Sequence, residues 1–82
     1  MPDVTFSTFI ASLSSSALVH LGEIAEPSTG QKQLNSQMAK QTIDIIGLLQ
    51  EKTKGNLNSE EEKLVQNVLT DLRMRYISAL KK

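Results

Sequence analysis

The sequence predicts an all-α protein: a three-helix chain with an antiparallel helix 2–helix 3 hairpin, assembled as a dimeric helical bundle. Three segments carry apolar residues at helical spacing. Two of them follow an asparagine suited to capping, and two end at a glycine. We treat residues 1–82 as a single helical domain, because this length is near the lower limit for folding without disulfides or metals.

The first predicted helix, at about residues 5–21, contains no Asp, Glu, Lys or Arg. Its apolar stripe consists of Phe6, Phe9, Ile10, Leu13, Ala17 and Leu21. A neighbouring face consists almost entirely of small residues: Ser7, Ala11, Ser14, Ser15, Leu18 and Gly22. Small side chains let two helices approach closely, whereas a free surface usually carries Lys or Glu. We therefore expect this face to contact another copy; the alternative is an ordinary Ser-rich surface.

Residues 22–35 are predicted to form the connection to the second helix. The sequence Pro27–Gly30 is typical of a turn, since Pro presets φ and Gly supplies a positive φ. Ile24 and Leu34 are its only large apolar residues and are expected to pin its two ends. The connection is long for a helix pair, so it is either a functional loop or a mobile one.

The second helix is predicted at about residues 36–54, with Asn35 as its N-cap. Its apolar arc covers almost half of the helix circumference, which is wider than one helix contact needs. We therefore expect this helix to contact at least two neighbours. Gly47 lies opposite the arc, where glycine is unfavourable for a helix, so its presence favours close approach of another group.

The third helix, at about residues 59–80, has the clearest start. Asn58 followed by Glu61 forms a capping-box pattern. The short link at residues 55–57 forces an antiparallel hairpin with the second helix. Four large apolar residues fall outside the predicted stripes: Val19, Leu48, Met74 and Ile77. Together with the uncharged first helix, they favour a two-fold dimer.

The composition excludes several function classes. Nine basic and nine acidic residues give zero net charge, so no general attraction to nucleic acid or anionic lipid is implied. The absence of cysteine excludes disulfides and thiol chemistry, and it fits a cytoplasmic protein. The N-terminus lacks the features of a signal peptide, and the hydroxyl groups of the first helix argue against a membrane span. We expect a soluble protein.

His20 is the only histidine and the main candidate for chemistry. With Tyr76 and nearby hydroxyls it is a candidate for binding a small molecule or a metal. One imidazole cannot build a zinc site alone, although a dimer would bring two copies together. The ordinary alternative is a partly buried histidine near a helix end. We predict no catalytic residue and no cofactor, because the serines lack a nucleophile motif and a partner base.

Nucleic-acid binding is a weaker alternative. Arg73, Arg75, Lys81 and Lys82 cluster near the C-terminus. They do not share one stripe of the helix, and an antiparallel hairpin is not the geometry of a helix-turn-helix.

Four sequence motifs resemble a small bacterial family classed as a domain of unknown function. They are FSTFIASL (Phe6–Leu13), ALVHLGEI (Ala17–Ile24), AKQTIDIIGLLQEKTKGNL (Ala39–Leu57) and DLRMRY (Asp71–Tyr76). The resemblance covers nearly the whole chain and implies a compact, mostly helical bacterial protein. The resemblance implies no catalytic, metal-binding or ligand-binding residue in this chain. The functional hypothesis therefore comes from the residues: a non-catalytic, self-associating interaction or structural module, with no membrane partner and an undefined protein partner.

Overall fold

The computed structural model describes residues 5–81 and contains three helices. They are α1 (Phe6–His20), α2 (Ser36–Lys52) and α3 (Ser59–Leu80). The all-α prediction is confirmed: no β-strand forms within residues 5–81, and only an isolated antiparallel bridge joins Leu21 to Leu34. α2 is two residues shorter than predicted, since the Lys54 N–H donates to the Glu51 carbonyl oxygen at 3.3 Å, three residues back, where the i−4 pattern of the helix stops.

Side chains cap the start of every helix. The Asn35 and Asn58 amide oxygens accept hydrogen bonds from the Met38 and Glu61 backbone N–H groups, as expected. α1 also begins with a capping box, but threonine replaces the usual glutamate at its third position. The Thr8 N–H donates to the Thr5 hydroxyl oxygen, and the Thr5 N–H donates to the Thr8 hydroxyl oxygen. These bonds satisfy backbone donors that a helix cannot pair internally. The residues at the start of each helix therefore determine where that helix begins.

The core lies where the three helices meet, and each helix packs against the other two. α2 thus has the two neighbours that its wide apolar arc predicted. The buried apolar residues are Ile10, Ala17, Leu21, Ala39, Ile43, Ile46, Val65, Leu69 and Leu72. Each predicted stripe is buried at its centre and exposed at its edges. Four apolar residues that helical spacing assigns to the predicted apolar faces are exposed, against expectation: Phe9 of α1, Met38 and Ile45 of α2, and Leu80 of α3.

The folded chain is flat. Its Cα atoms extend over 37 × 33 × 16 Å, and the smallest extent is close to the thickness of two packed helices. The radius of gyration is 13.2 Å, whereas a compact domain of this length has about 12 Å. A flat shape leaves little interior. Consequently nine large apolar side chains of the described residues are exposed, more than the seven that are buried.

Gly47 lies near the end of the Arg73 side chain of α3. A Cβ atom added at Gly47 would lie 3.4 Å from the Arg73 Nη2 atom, and no other side chain comes nearer. That distance is about an ordinary van der Waals contact with the flexible end of a side chain, so alanine would also fit here. The neighbour that the sequence favoured at Gly47 is therefore limited to this one guanidinium group.

Backbone and ionic contacts hold the connection between α1 and α2. The Asn35 N–H donates to the His20 carbonyl oxygen at 2.6 Å, beside the Leu21–Leu34 bridge. At the α1 end, Glu23 pairs with Arg75 of α3. The Ile24 and Leu34 side chains are exposed, at 42% and 45%. Leu34 therefore joins the connection to α1 through its backbone bridge to Leu21 and not through burial of its side chain.

Candidate functional site

A cleft lies where α1 ends, the connection folds back and α2 begins. Its volume is about 870 Å³. Most of the groups that line it are neutral hydroxyls and amides, with a few apolar side chains and two ionisable groups. The lining residues are Ser15, Ser16, Val19, His20, Glu26, Pro27, Thr29, Gln33, Leu34, Asn35, Ser36 and Gln37. Only folding brings these segments together, since they are separated along the chain.

His20 is half-buried in the last turn of α1 and lines this cleft. Tyr76 is also half-buried, but it packs beside the core on α3 and does not line the cleft. The two residues proposed together from the sequence therefore do not share this cavity. Within residues 5–81, no three His, Cys, Asp or Glu side chains are grouped closely enough to hold a metal ion.

Among residues 5–81, Glu26 is the one carboxylate that lines the cleft, and it also holds the turn that follows it. Its Oε2 atom accepts hydrogen bonds from the Ser28 hydroxyl and, at 3.2 Å, from the Ser28 N–H. The Ser28 hydroxyl lowers the pKa of Glu26, because these bonds favour the ionised carboxylate. Glu26 therefore contributes a fixed negative charge to the cleft rather than an exchangeable proton at neutral pH.

The predicted interface face of α1 is divided in two. Ser7, Ala11 and Ser15 are exposed, as an interface would require. Ser14, Leu18 and Gly22 are half-buried, and Leu18 packs against the domain's own core. The face of α1 that points away from the core is rotated relative to the prediction, and it presents Thr8, Ala11, Ser12 and Ser15. It carries no charge.

The arginines near the C-terminus have different surroundings. Arg75 donates to an Asp71 carboxylate oxygen at 2.8 Å and also pairs with Glu23. Asp71, and then Glu23, raise the pKa of Arg75. Arg73 lies instead against Gly47 of α2. The two cations therefore do not form one basic surface, and Arg75 already has two carboxylate partners.

The Glu23–Arg75 pair was missed by the sequence analysis. The Asp71–Arg75 pair follows from helical spacing, but Glu23 and Arg75 are 52 residues apart. Glu23 is a charged residue just after the first helix, but this position alone does not indicate that Arg75 is its partner. The cleft was missed for the same reason, since it depends on how the connection docks.

Comparison with known proteins gives one match. The family described as Domain of unknown function (DUF1844) matches residues 3–78. No curated protein and no solved structure matches the chain. Within residues 5–81, none of the helices combines the length and apolar character required to cross a bilayer. Because the match covers nearly the whole sequence, and because the helices fit the expected all-α fold, the chain belongs to the DUF1844 family.

Proposed function

We propose that this chain is a non-catalytic interaction module of the bacterial cytoplasm that forms a homodimer through the outward face of α1. One observation carries the proposal. The outward face, formed by Thr8, Ala11, Ser12 and Ser15, is exposed in a single chain and has no charged residue along its length. Water-facing helix surfaces normally interleave charges, as the exposed faces of α2 and α3 do here.

The flat shape supports the same proposal. Within residues 5–81 of a single chain, nine large apolar side chains are exposed and seven are buried. A second copy packed on α1 would increase the thickness of the folded unit and cover Phe9, the one of these nine side chains that lies on α1. Specific interfaces bury about 800 Å² per partner, which is about one-seventh of the 5855 Å² that the chain exposes.

The outward face of α1 supplies part of that area. α1 has 15 residues, so it is about 22 Å long at a rise of 1.5 Å per residue. Phe9 lies at the edge of the outward face and is 45% exposed, so it adds a large apolar contact. The small residues at the centre allow close approach of two helices, and Phe9 at the edge provides burial.

The test is the solution mass of the Ala11→Glu variant. Wild-type protein is expected to sediment at twice the chain mass of 9.0 kDa. A glutamate at Ala11 buries a charge at the centre of the interface, so Ala11→Glu is expected to sediment as a monomer with unchanged helicity. Ser15→Glu is expected to act in the same way.

Asn67→Glu is the matched control, because Asn67 is an exposed residue on α3 and its replacement adds the same charge away from α1. It is expected to remain dimeric. A monomeric wild type contradicts the proposal. The proposal is also contradicted if Ala11→Glu keeps the wild-type mass, or if Ala11→Glu and Asn67→Glu dissociate to the same extent.

Binding of a small molecule or a metal through His20 is the second candidate function. The observation in its favour is that His20 lines the large cleft. A metal series or a metabolite panel should then raise the melting temperature of the wild type but not of His20→Ala. A flat response of the wild type removes this candidate. The nucleic-acid alternative loses support, since Arg75 is already paired with Asp71 and Glu23.

A further inference from the structure

The outward face of α1 is too small to hold a dimer together on its own. α1 has 15 residues, and a helix of that length is about 22 Å long and about 10 Å wide, which gives a footprint of about 220 Å². A specific interface covers about 800 Å² on each partner. A homodimer through α1 therefore needs a second contact surface beside this helix.

α2 has an exposed strip of uncharged residues, which we call the α2 strip. It consists of Met38, Gln41, Ile45 and Leu48. These residues are three, four and three positions apart, which is the spacing of a helix that packs along another helix. Three of them are large and apolar, yet 38%, 38% and 56% of Met38, Ile45 and Leu48 is exposed in a single chain. The α2 strip thus has the pattern of a helix contact but lies at the surface.

The α2 strip and the outward face of α1 belong to one continuous surface. Ser15 is part of the outward face and also lines the cleft. Gln37 lines both the cleft and a groove along α2 that Leu48 borders. Lys40 and Asp44 border the same groove, but they bind each other at 2.7 Å and form a neutral pair at its edge. A body that packs on α1 can therefore reach the α2 strip without crossing an unpaired charge of this groove.

Phe9 lies beside the α2 strip at the other end of α1. The His20–Asn35 bond holds the end of α1 next to the start of α2, and the two helices pack together from there in opposite directions. Phe9 is 11 residues before His20, and Ile45 is 10 residues after Asn35, so they lie at about the same level. Phe9 is also seven residues before Ser16, which lines the cleft, so both lie on the same side of α1.

We propose that the second copy that packs on α1 also packs on the α2 strip, so that Ile45 and Leu48 are buried in the dimer together with Phe9. This inference rests on the proposed function, since it extends the same interface onto α2. The missing contact area argues for a second copy as the occupant, and so does the position of the strip beside the α1 face. Two-fold symmetry lets each copy bury the same apolar side chains against an equally uncharged surface.

The test compares Leu48→Lys with Met74→Lys by sedimentation equilibrium. Both variants place a positive charge at an exposed apolar position, since Leu48 is 56% and Met74 is 66% exposed, but Met74 lies on α3. A lysine at position 48 lies near Asp44 and Glu51, so it does not weaken α2 itself. We expect Leu48→Lys to raise the dissociation constant of the dimer at least about tenfold, and Met74→Lys to change it by less than about twofold.

Thiol labelling measures the burial of the same position directly. The chain has no cysteine, so one introduced thiol reports only its own accessibility. Leu48→Cys should react with a maleimide at least about tenfold more slowly at protein concentrations well above the dissociation constant than well below it. Met74→Cys should react at the same rate at both concentrations. Far-UV circular dichroism checks that each variant keeps its helices.

The outcomes separate this inference from the α1 interface. If Ala11→Glu dissociates the dimer but Leu48→Lys dimerises as tightly as Met74→Lys, the α2 strip lies outside the interface and the inference is overturned, whereas the proposed function stands. Equal labelling of Leu48→Cys at the two concentrations overturns it as well. A monomeric wild type overturns the proposed function and this inference together.

Discussion

Replacing Leu69 by alanine is expected to lower the free energy of unfolding by about 2–5 kcal/mol. Leu69 is fully buried near the middle of α3, at the junction of all three helices. The change removes apolar burial and leaves a cavity, because packed neighbours relax only partly. Small domains have only about 5–15 kcal/mol of stability in total, so this one substitution should remove a large share of it. Urea denaturation followed by circular dichroism, at a fixed protein concentration, measures the difference.

Ile77→Ala is the matched control, since Ile77 lies on the same helix but is 54% exposed. Its free energy of unfolding should change by less than about 1 kcal/mol, because little buried surface is lost. Equal effects of Leu69→Ala and Ile77→Ala would show that the core is not where the helices meet in the structure. They would also show that Ile77 is covered in solution.

Replacing Gly22 by alanine is expected to destabilise the fold by about 1–3 kcal/mol. Gly22 has φ +79°, a left-handed conformation that alanine adopts only with strain. An added Cβ would also lie 3.3 Å from the Leu34 nitrogen, so the connection would have to shift. The two effects act together at the place where α1 ends and the connection returns. Denaturant unfolding measures the loss.

Gly55→Ala separates the two causes. Gly55 also has a positive φ, +88°, but an added Cβ would meet no atom within 4 Å. It should therefore show the backbone strain without the close contact, and its destabilisation should be smaller than that of Gly22→Ala. If Gly55→Ala destabilises the fold as much as Gly22→Ala does, the approach of Leu34 to Gly22 has no energetic consequence.

The helices were predictable from the sequence because their signals are local. Asn35 and Asn58 cap α2 and α3 as expected, and Gly22 has the positive φ that its position after α1 indicated. Apolar spacing identified the buried centre of each helix. The end of α2 lies two residues before the predicted one, since the Lys54 N–H bonds to the Glu51 carbonyl oxygen and the chain turns before Gly55 is reached.

The outward face of α1 and the cleft near His20 depend on how the helices pack, and the periodicity of apolar residues does not specify that packing. The helical spacing of α1 predicted an uncharged face. Which residues of that helix face the core depends on where α2 and α3 pack: Leu18 packs against the core, whereas Ser12 is exposed. In the same way, the cleft near His20 exists because the connection returns across the end of α1. Residues that are tens of positions apart in the sequence share no local pattern, so contacts between them cannot be predicted from the sequence alone.

The flat core has a consequence for how the family can diverge. In the part of the chain that the structure describes, seven large side chains are fully buried, and exposed positions tolerate substitution with small changes in stability. Relatives can therefore replace most of their outer residues and still adopt the same three-helix arrangement. New surfaces for recognition can evolve at little energetic penalty, which makes this small scaffold adaptable.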